Sequence, residues 1–221
     1  MEKVAILIPV LRRPQNVKPL VESVEATTKN FELLFIASPG DEEEIAELEN
    51  QNQSYGIMDD CYENNGDYAR KINAAFNSVE AEWYFLGADD IRFHSDWFDR
   101  AMATYEKTGA CVIGTNDLGS PVVMKGQHST HSLVLGEYAT ECGTIDEVGK
   151  ILHEGYPHEF VDNELVETAK CRGAWAFSRD SKVEHCHPNW AKAPMDSIYA
   201  GQSERMVKGR ILFEQRKKLW L

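Results

Sequence analysis

Apolar segments with the pattern of strands alternate with amphipathic, helical segments near the start of the chain, and this alternation leaves few possible folds. Residues Val4–Val10 are continuously apolar and rich in β-branched side chains, which is typical of a strand covered on both faces. Residues Val17–Val24 have helical spacing, and Phe31–Ala37 repeats the strand pattern. Such strand–helix–strand units predict an α/β fold with a mostly parallel central sheet flanked by helices.

The same periodicities predict the elements of the remaining chain. Further helices are predicted at Asp41–Asn50, Gly66–Val79, Asp96–Lys107, Leu133–Glu141, Val161–Lys170 and Ser203–Trp220. Further strands are predicted at Tyr55–Met58, Trp83–Leu86, Ala110–Gly114, Val122–Met124, Ala174–Phe177 and Lys182–His185. At 221 residues, one domain is the expected organisation.

Composition and charge exclude several classes of function. With 23 basic and 36 acidic side chains the net charge is -13, which opposes non-specific binding of nucleic acid. We find no apolar run long enough to span a bilayer. The five cysteines, Cys61 among them, are scattered and form no Cys-x-x-Cys pair, so we expect neither a disulfide framework nor a structural zinc site. No signal peptide is predicted, and a reducing cytoplasm is the expected location.

Two stretches of acidic residues require different interpretations. Six acids between Asp41 and Glu49 are interpreted as the solvated start of a helix. Asp89 and Asp90 instead follow the predicted strand Trp83–Leu86 directly, and ligands of open parallel sheets bind beyond such strand ends. Because Mg²⁺ and Mn²⁺ prefer oxygen ligands, the pair suits a clamp of metal and diphosphate. The alternative is an ordinary turn or helix N-cap.

Three segments carry a resemblance to a known family. Lys3–Asn16, the sequence Lys71-Ile-Asn-Ala-Ala-Phe and the sequence Trp83-Tyr-Phe-Leu-Gly-Ala-Asp-Asp-Ile occur in the order and spacing of the family 2 type of inverting glycosyltransferase. The resemblance covers roughly Val4–Pro188. It implies a Rossmann-like GT-A fold as a single domain, with a nucleotide-sugar-binding half over residues 1–115, an acceptor and catalytic half over 116–202, and a C-terminal helix over 203–221.

The resemblance also implies a site for a nucleoside-diphosphate sugar as donor substrate. Its residues would be Pro9, Arg13, Ser38, Lys71, Asn73 and Asp89. Elementary chemistry agrees in part, because Arg13 and Lys71 can neutralise phosphate and Asn73 can donate to a nucleoside edge. The alternative roles are a surface charge for Arg13 and a polar group on a helix face for Asn73.

The metal motif departs from the family pattern. The family commonly has Asp-x-Asp, and Gly87 replaces the first aspartate, which leaves Asp89 as the implied ligand of Mn²⁺ or Mg²⁺, with Asp90 beside it. A carboxylate that often contacts the ribose is therefore missing. The family often adds a histidine to the metal, and in His-x-His on a strand both rings face one side, which makes His187 or His185 the candidate ligand. Ordinary polar packing is the alternative.

The resemblance places the catalytic base near residue 160. Asp162 matches the family's acidic motif at a helix start, with Glu164 and Glu159 as substitutes. An inverting transfer needs a carboxylate that takes the proton of the attacking hydroxyl, and a helix N-terminus stabilises that carboxylate as an anion. The alternative is that Asp162 only caps the helix.

Aromatic and imidazole groups near these motifs could contact sugars. Trp97, Trp175 and Trp190 could stack on a sugar ring, although core packing is the commoner role. His128 and His131 lie in a loop where the family has acceptor contacts, and a solvated loop is the alternative.

The expected function is therefore metal-assisted transfer of a sugar to an unidentified acceptor hydroxyl. The acceptor could be a glycan, a protein, a small molecule or a modified nucleobase, and the basic segment Lys208–Lys218 leaves nucleic acid as a weak option. The alternatives are a nucleotidyltransferase and a non-catalytic nucleotide-sugar-binding module. A nucleotidyltransferase would normally have a glycine-rich phosphate loop after the first strand, and Leu11-Arg-Arg-Pro-Gln has no glycine.

Overall fold

Eight strands form the central sheet of the computed structural model, which describes residues 3–60 and 67–220. The strands are β1 (Val4–Pro9), β2 (Phe31–Ala37), β3 (Tyr55–Ile57), β4 (Trp83–Leu86), β5 (Ile91–Phe93), β6 (Val112–Asn116), β7 (Ser132–Leu135) and β8 (Trp175–His185). Their order across the sheet is β3-β2-β1-β4-β7-β6-β8-β5. Cys61 and the predicted helix start at Gly66 lie outside the described residues.

The first half of the sheet is parallel, as the strand–helix–strand pattern predicts. β1 pairs in parallel with β2 and with β4, and β2 pairs in parallel with β3. The crossovers contain α1 (Pro14–Thr27), α2 (Glu42–Asn50) and α3 (Tyr68–Ser78). This arrangement places the carboxyl ends of β1 and β4 side by side, because parallel neighbours end at the same edge of a sheet.

Two apolar layers cover the two faces of this sheet. From β1, Val4, Ile6 and Ile8 pack into one layer with residues of α1 and of α4 (Trp97–Thr108), while Ala5 and Leu7 pack into the other with α3. All five β1 side chains have no exposed surface, which confirms a strand covered on both faces. Trp97 is fully buried in the first layer, so its role is core packing.

The second half of the sheet contains the antiparallel pairings. β7 runs antiparallel to β4 and to β6, and β5 runs antiparallel to the end of β8. The predicted helix Leu133–Glu141 is therefore wrong in its first part, which is β7, and only α6 (Gly136–Glu141) is helical. Short apolar runs do not distinguish a buried strand from a helix, and here the pairing with β4 and β6 decides.

Other predicted elements also change once the chain is folded. Residues Val122–Met124 belong to a single helical turn, α5 (Pro121–Met124), with proline at its first position, and are not a strand. The two strands predicted after residue 173 form one long strand, β8, whose register against β6 shifts between Thr115 and Asn116.

Helices α7 (Val161–Cys171), α8 (Ser197–Ala200) and α9 (Gln202–Arg216) complete the described chain, with short 3₁₀ turns at Pro188–Trp190 and Lys217–Trp220. None of the helices within residues 3–60 and 67–220 has the length and apolar character that a bilayer crossing requires.

Candidate active site

A cavity of about 910 Å³ opens beyond the carboxyl ends of β1 and β4. The start of α7, the end of β8 and residues of α8 and α9 complete its wall. We call it the main cavity, and the predicted site residues that line it are Pro9, Arg13, Lys71, Asp89, Asp90, Asp162, His185 and His187. Residues from distant parts of the chain are thus brought together where the sheet topology predicts a ligand site.

The acid pair lies at the centre of this wall. Asp89 and Asp90 are each 5% exposed. The guanidinium of Arg13, itself buried, has Nη1 at 3.3 Å from Asp89 Oδ1 and at 3.5 Å from Asp90 Oδ2. Its Nε lies 2.9 Å from Oδ2 of Asp196, the residue before α8. Burial and the charge of Asp90 raise the pKa of Asp89 to about 7, even though Arg13 favours the charged form. Arg13 therefore contacts three carboxylates and offsets part of their negative charge.

Asp90 has further partners on the side of β8. His185 Nε2 lies 3.2 Å from Asp90 Oδ2, and the hydroxyl of Tyr199 on α8 donates to the same oxygen. Burial would raise the pKa of Asp90, but His185, Tyr199 and Arg13 outweigh it and hold that pKa below its ordinary value. Within the described residues, the other carboxylate oxygen of Asp90, Oδ1, is buried and has no hydrogen-bond partner.

Three histidines form a row beside the acid pair. The ring of His185 lies 5.2 Å from that of His131 and 5.1 Å from that of His187. His131 has Nδ1 at 3.1 Å from the carbonyl oxygen of Leu86, so Nδ1 carries the proton. Its Nε2 is buried and has no partner in the part of the chain that the structure describes. His131, which sequence analysis placed in a solvated or acceptor loop, thus belongs to the main cavity.

Asp162 lies in the first turn of α7 and lines the same cavity. Its Oδ2 is 3.0 Å from His128 Nε2, and its Oδ1 accepts from the backbone N–H of Asn163 at 3.0 Å. Burial would raise its pKa, but the His128 hydrogen bond and charge hold the pKa of Asp162 below its ordinary value. The carboxylate is therefore ionised at neutral pH.

Lys71 connects the ends of β1 and β2 at the cavity edge. Its Nζ donates to the carbonyl oxygen of Val10 at 2.7 Å and to Ser38 Oγ at 2.8 Å. Ser38 is not among the residues that line the main cavity, so among the described residues its contact with the site runs through Lys71.

Two acids that sequence analysis assigned to a solvated helix start are buried beneath the site. Glu44, with no exposed surface, accepts the backbone N–H of Arg13 at 2.6 Å, and Asp41 accepts that of Arg12 at 2.7 Å. Burial raises the pKa of Glu44 to about 7. Asp41, Glu44 and Leu48 are three and four residues apart, so they lie on the same side of the helix, and this side packs inward. This spacing is the feature of the sequence that indicates their burial. The solvated interpretation is wrong for these two residues.

Asn73 and Glu164 lie away from the main cavity. The amide of Asn73 donates to the carbonyl oxygen of Leu152 at 2.8 Å and accepts the backbone N–H groups of Ile151 and Leu152 at 3.1 Å each. Glu164 forms an ion pair with Arg216 Nε at 2.7 Å. Both side chains therefore bind other parts of the chain.

Replacement of Asn73 by alanine is expected to lower the free energy of unfolding by about 3 kcal/mol, because each buried group left without a partner costs about 1–3 kcal/mol. Urea denaturation measures this loss. Asn77→Ala, on the exposed side of the same helix, is the matched control and should change stability by less than about 0.5 kcal/mol. An Asn73→Ala variant as stable as the wild type would show that the hydrogen bonds of the Asn73 amide do not stabilise the fold.

Close packing explains the glycine at the start of the acid motif. A Cβ atom at Gly87 would lie 2.4 Å from Ile8 Cδ1 and 3.3 Å from the carbonyl oxygen of Leu7. Ile8 is fully buried in a close-packed core, so a shift of its Cδ1 displaces neighbouring atoms. An aspartate at this position therefore does not fit the described packing.

Gly87→Asp is accordingly expected to lower the free energy of unfolding by about 2–4 kcal/mol, through overpacking and a buried unpaired charge. Thermal and urea denaturation measure the effect, and Gly87→Ala should show a smaller loss of the same sign. Wild-type stability combined with tighter Mn²⁺ binding in Gly87→Asp would instead show that the position accepts a metal ligand.

Comparison with known proteins rests on structure, since no protein-family model and no curated protein matches the sequence. The TarS fragment 1–349 of S. aureus superposes with a TM-score of 0.62 at 11% identity, over 98% of this chain and 73% of that one. The mannosyltransferase PcManGT of Pyrobaculum calidifontis, in complex with GDP-Man and Mn²⁺, gives a TM-score of 0.70 at 9% identity, over 97% of this chain and 64% of its own.

A third similar structure is the glucosyl-3-phosphoglycerate synthase of Mycobacterium tuberculosis. It gives a TM-score of 0.63 at 9% identity, over 96% of this chain and 79% of its own. The chain thus spans somewhat less than two thirds of the mannosyltransferase and more of the other two. Likeness at such low identity establishes architecture and not activity. The fold expected from the three sequence segments is confirmed: the chain has the GT-A fold that these glycosyltransferases share.

Proposed function

We propose that the chain is a glycosyltransferase that moves a sugar from a nucleoside-diphosphate donor to an acceptor hydroxyl, with inversion and with the help of a divalent cation. The observation that carries the proposal is the convergence of an acid pair, a histidine row and Asp162 on one cavity of a GT-A fold. Solved structures with this fold hold GDP-Man and Mn²⁺ in one case and UDP and Mn²⁺ in another.

The cations of the main cavity support a diphosphate ligand. Among the described residues that line it are five cationic side chains: Arg12, Arg13, Lys71, Arg205 and Lys208. Five carboxylates line it as well, and the acid pair among them suits a divalent cation. Guanidinium and ammonium groups are the side chains that bind phosphate oxygens, the former in a bidentate manner. We assign Pro9, Arg13, Lys71 and Asp89 to the donor site, with Ser38 supporting Lys71.

The residues present fit a divalent cation. Asp90 Oδ1 and His131 Nε2 are buried acceptor atoms without partners in the described chain, and a set of carboxylates and imidazoles suits Mn²⁺. Asp89 and Asp90, with His185 or His187, are the residues that would hold it. When bound, Mn²⁺ or Mg²⁺ supplies Lewis-acid stabilisation of the negative charge on the leaving diphosphate.

Asp162 is proposed as the general base. Its carboxylate, ionised and held by His128, would take the acceptor hydroxyl proton as that oxygen forms its bond to the anomeric carbon. The bond from the anomeric carbon to the diphosphate oxygen breaks on the opposite side, so the configuration inverts. Arg13 and Lys71 then face the departing anion.

The four described cysteines are free thiols, which supports the further proposal of a reducing, cytoplasmic location.

A screen of UDP-, GDP-, ADP- and CDP-sugars by thermal shift, with and without Mn²⁺, tests the proposal. Binding to the folded state raises the melting temperature, so one nucleotide class should stabilise the chain in a Mn²⁺-dependent manner. Slow hydrolysis of that donor, followed by ³¹P NMR, should accompany binding.

Three other outcomes would each contradict the proposal. A shift by nucleoside triphosphates with release of pyrophosphate would favour a nucleotidyltransferase. Binding of a donor without any turnover would favour the non-catalytic module. Stabilisation by none of the nucleotides would overturn both the donor site and the function.

A further inference from the structure

A second cavity, of about 450 Å³, adjoins the main one. We call it the side cavity, and the residues that belong to it alone are Asp117, Ser120, Val122, Gln127, His128, Glu167, Asn189 and Trp190. Five further residues line both cavities: Thr130, Asn163, His185, His187 and Gln202. The two cavities therefore share part of their walls.

The base proposed for the reaction lies at this boundary. Asp162 lines the main cavity, and His128, which holds its carboxylate at 3.0 Å, lines the side cavity. A hydroxyl that enters from the side cavity would thus reach the Asp162–His128 pair without passing the lysines and arginines, which line the main cavity alone.

Lysine and arginine side chains distinguish the two cavities. Five of them line the main cavity, together with five carboxylates, whereas none is present among the described residues that line the side cavity. The side cavity contains two carboxylates, Asp117 and Glu167. Asp117 is buried and accepts backbone N–H groups of Gly119 and Ser120 at 2.9 Å each, and the shared imidazole of His185 is paired with Asp90. An anionic ligand would find no cationic partner here.

The remaining lining groups suit a sugar. Amides, hydroxyls and an imidazole can each exchange hydrogen bonds with hydroxyl groups. Trp190 supplies a flat apolar surface and packs against Gly119, where a Cβ atom would lie 2.5 Å from the indole Cδ1. An indole face beside amides, hydroxyls and carboxylates, all of which can bond to hydroxyl groups, suits a ring with one apolar and one hydroxylated face.

We propose that the side cavity binds the acceptor, and that the acceptor is an uncharged sugar unit, a mono- or disaccharide end that stacks on Trp190, not a phosphorylated or carboxylated compound. This inference rests on the proposed function and specifies its substrate class. The acceptor hydroxyl loses its proton to Asp162 and gains the bond to the anomeric carbon, while the nucleoside diphosphate leaves.

Saturation-transfer NMR on the full chain, with Mn²⁺ and the nucleoside diphosphate identified by thermal shift, tests it. The neutral probes are methyl glycosides of glucose, galactose, mannose and N-acetylglucosamine together with lactose and cellobiose; the anionic probes are glucose 6-phosphate, galacturonate and 3-phosphoglycerate. At least one neutral probe should bind at least ten times more tightly than every anionic probe. Comparison of the free disaccharide with the same disaccharide on a short peptide distinguishes a small acceptor from a glycoprotein.

Variants of residues that line the side cavity test whether the neutral probe binds there. Trp190→Ala should weaken the neutral probe at least fivefold, and Trp190→Phe should restore most of the affinity. Trp220→Ala, which removes an indole that contacts Phe213 outside both cavities, is the matched control and should leave binding unchanged. Gln127→Ala removes an exposed side-chain amide that lines the side cavity, and it should also weaken binding. It replaces Trp190→Ala as the test if that variant proves unstable.

Preferential binding of an anionic probe, or neutral binding that is insensitive to Trp190 and Gln127, would overturn the inference. The thermal-shift result on the same samples separates this failure from failure of the proposed function. If the donor still binds with Mn²⁺, only the acceptor assignment is lost.

Discussion

Arg13→Ala is expected to lower the free energy of unfolding by about 3–5 kcal/mol, the cost typical of removing one partner from a buried ion pair. Arg13 is buried, and its guanidinium lies within 3.5 Å of both Asp89 and Asp90. Without it, two adjacent carboxylates remain in a site of low polarity. Urea denaturation at pH 7.5 measures the loss.

Three comparisons test whether charge is the cause. Arg13→Lys should lose less, because a cation remains. Asp89→Asn added to Arg13→Ala should regain part of the stability, since one buried negative charge is removed. Arg100→Ala, an exposed guanidinium on α4, is the matched control and should change stability by less than about 0.5 kcal/mol.

Mn²⁺ should raise the melting temperature of Arg13→Ala more than that of the wild type, because the cation can neutralise the exposed acid pair. If Arg13→Ala is stable and Mn²⁺ does not change its melting temperature, the ion pairs of Arg13 with the acid pair do not stabilise the fold.

Asp162→Asn is expected to lower kcat by about 10²–10⁴-fold with little change in the KM of the donor, because a carboxamide keeps the shape but cannot accept the acceptor proton. The carboxylate lines the main cavity and is held ionised by His128. Steady-state kinetics with the donor found by thermal shift measures the change. Circular dichroism and the melting temperature establish that the variant remains folded.

Glu159→Gln is the informative comparison, because Glu159 is the other acid of this segment that lines the main cavity. It forms an ion pair with Arg205 at 3.2 Å, so its loss should reduce kcat less than tenfold. A larger loss in Glu159→Gln than in Asp162→Asn would transfer the role of base to Glu159. Full activity of Asp162→Asn would remove it from the mechanism.

Much of the fold could be predicted because its signals are local. The run Val4–Ile8 is apolar at every position, and a strand with such a run must be covered on both faces, as the structure confirms. The strand Trp83–Leu86 ends three residues before Asp89, so the position of the acid pair at the sheet edge was already implied. Hydrophobic periodicity and strand ends both depend on residues that are close together in the sequence.

Where the local pattern is ambiguous, the secondary structure and the burial of an element are determined by the elements that pack against it. Ser132–Leu135 is a strand because it fills the gap between β4 and β6, although its sequence also suits a buried helix. Asp41 and Glu44 are buried because α2 packs beneath the Arg12–Arg13 turn, whose backbone N–H groups need acceptors. Neither outcome is determined by propensity alone.

The α/β class, the parallel direction of the first strands and the polar residues at their carboxyl ends can all be predicted from the amino-acid sequence. Three contacts follow only from the packing of the folded chain: Arg13 bridges the acid pair, Asn73 holds the loop at Leu152, and Asp162 pairs with His128. These two kinds of information differ because hydrophobic periodicity records which face of an element is buried, whereas side-chain partners 30 or more residues apart are set by how the elements pack.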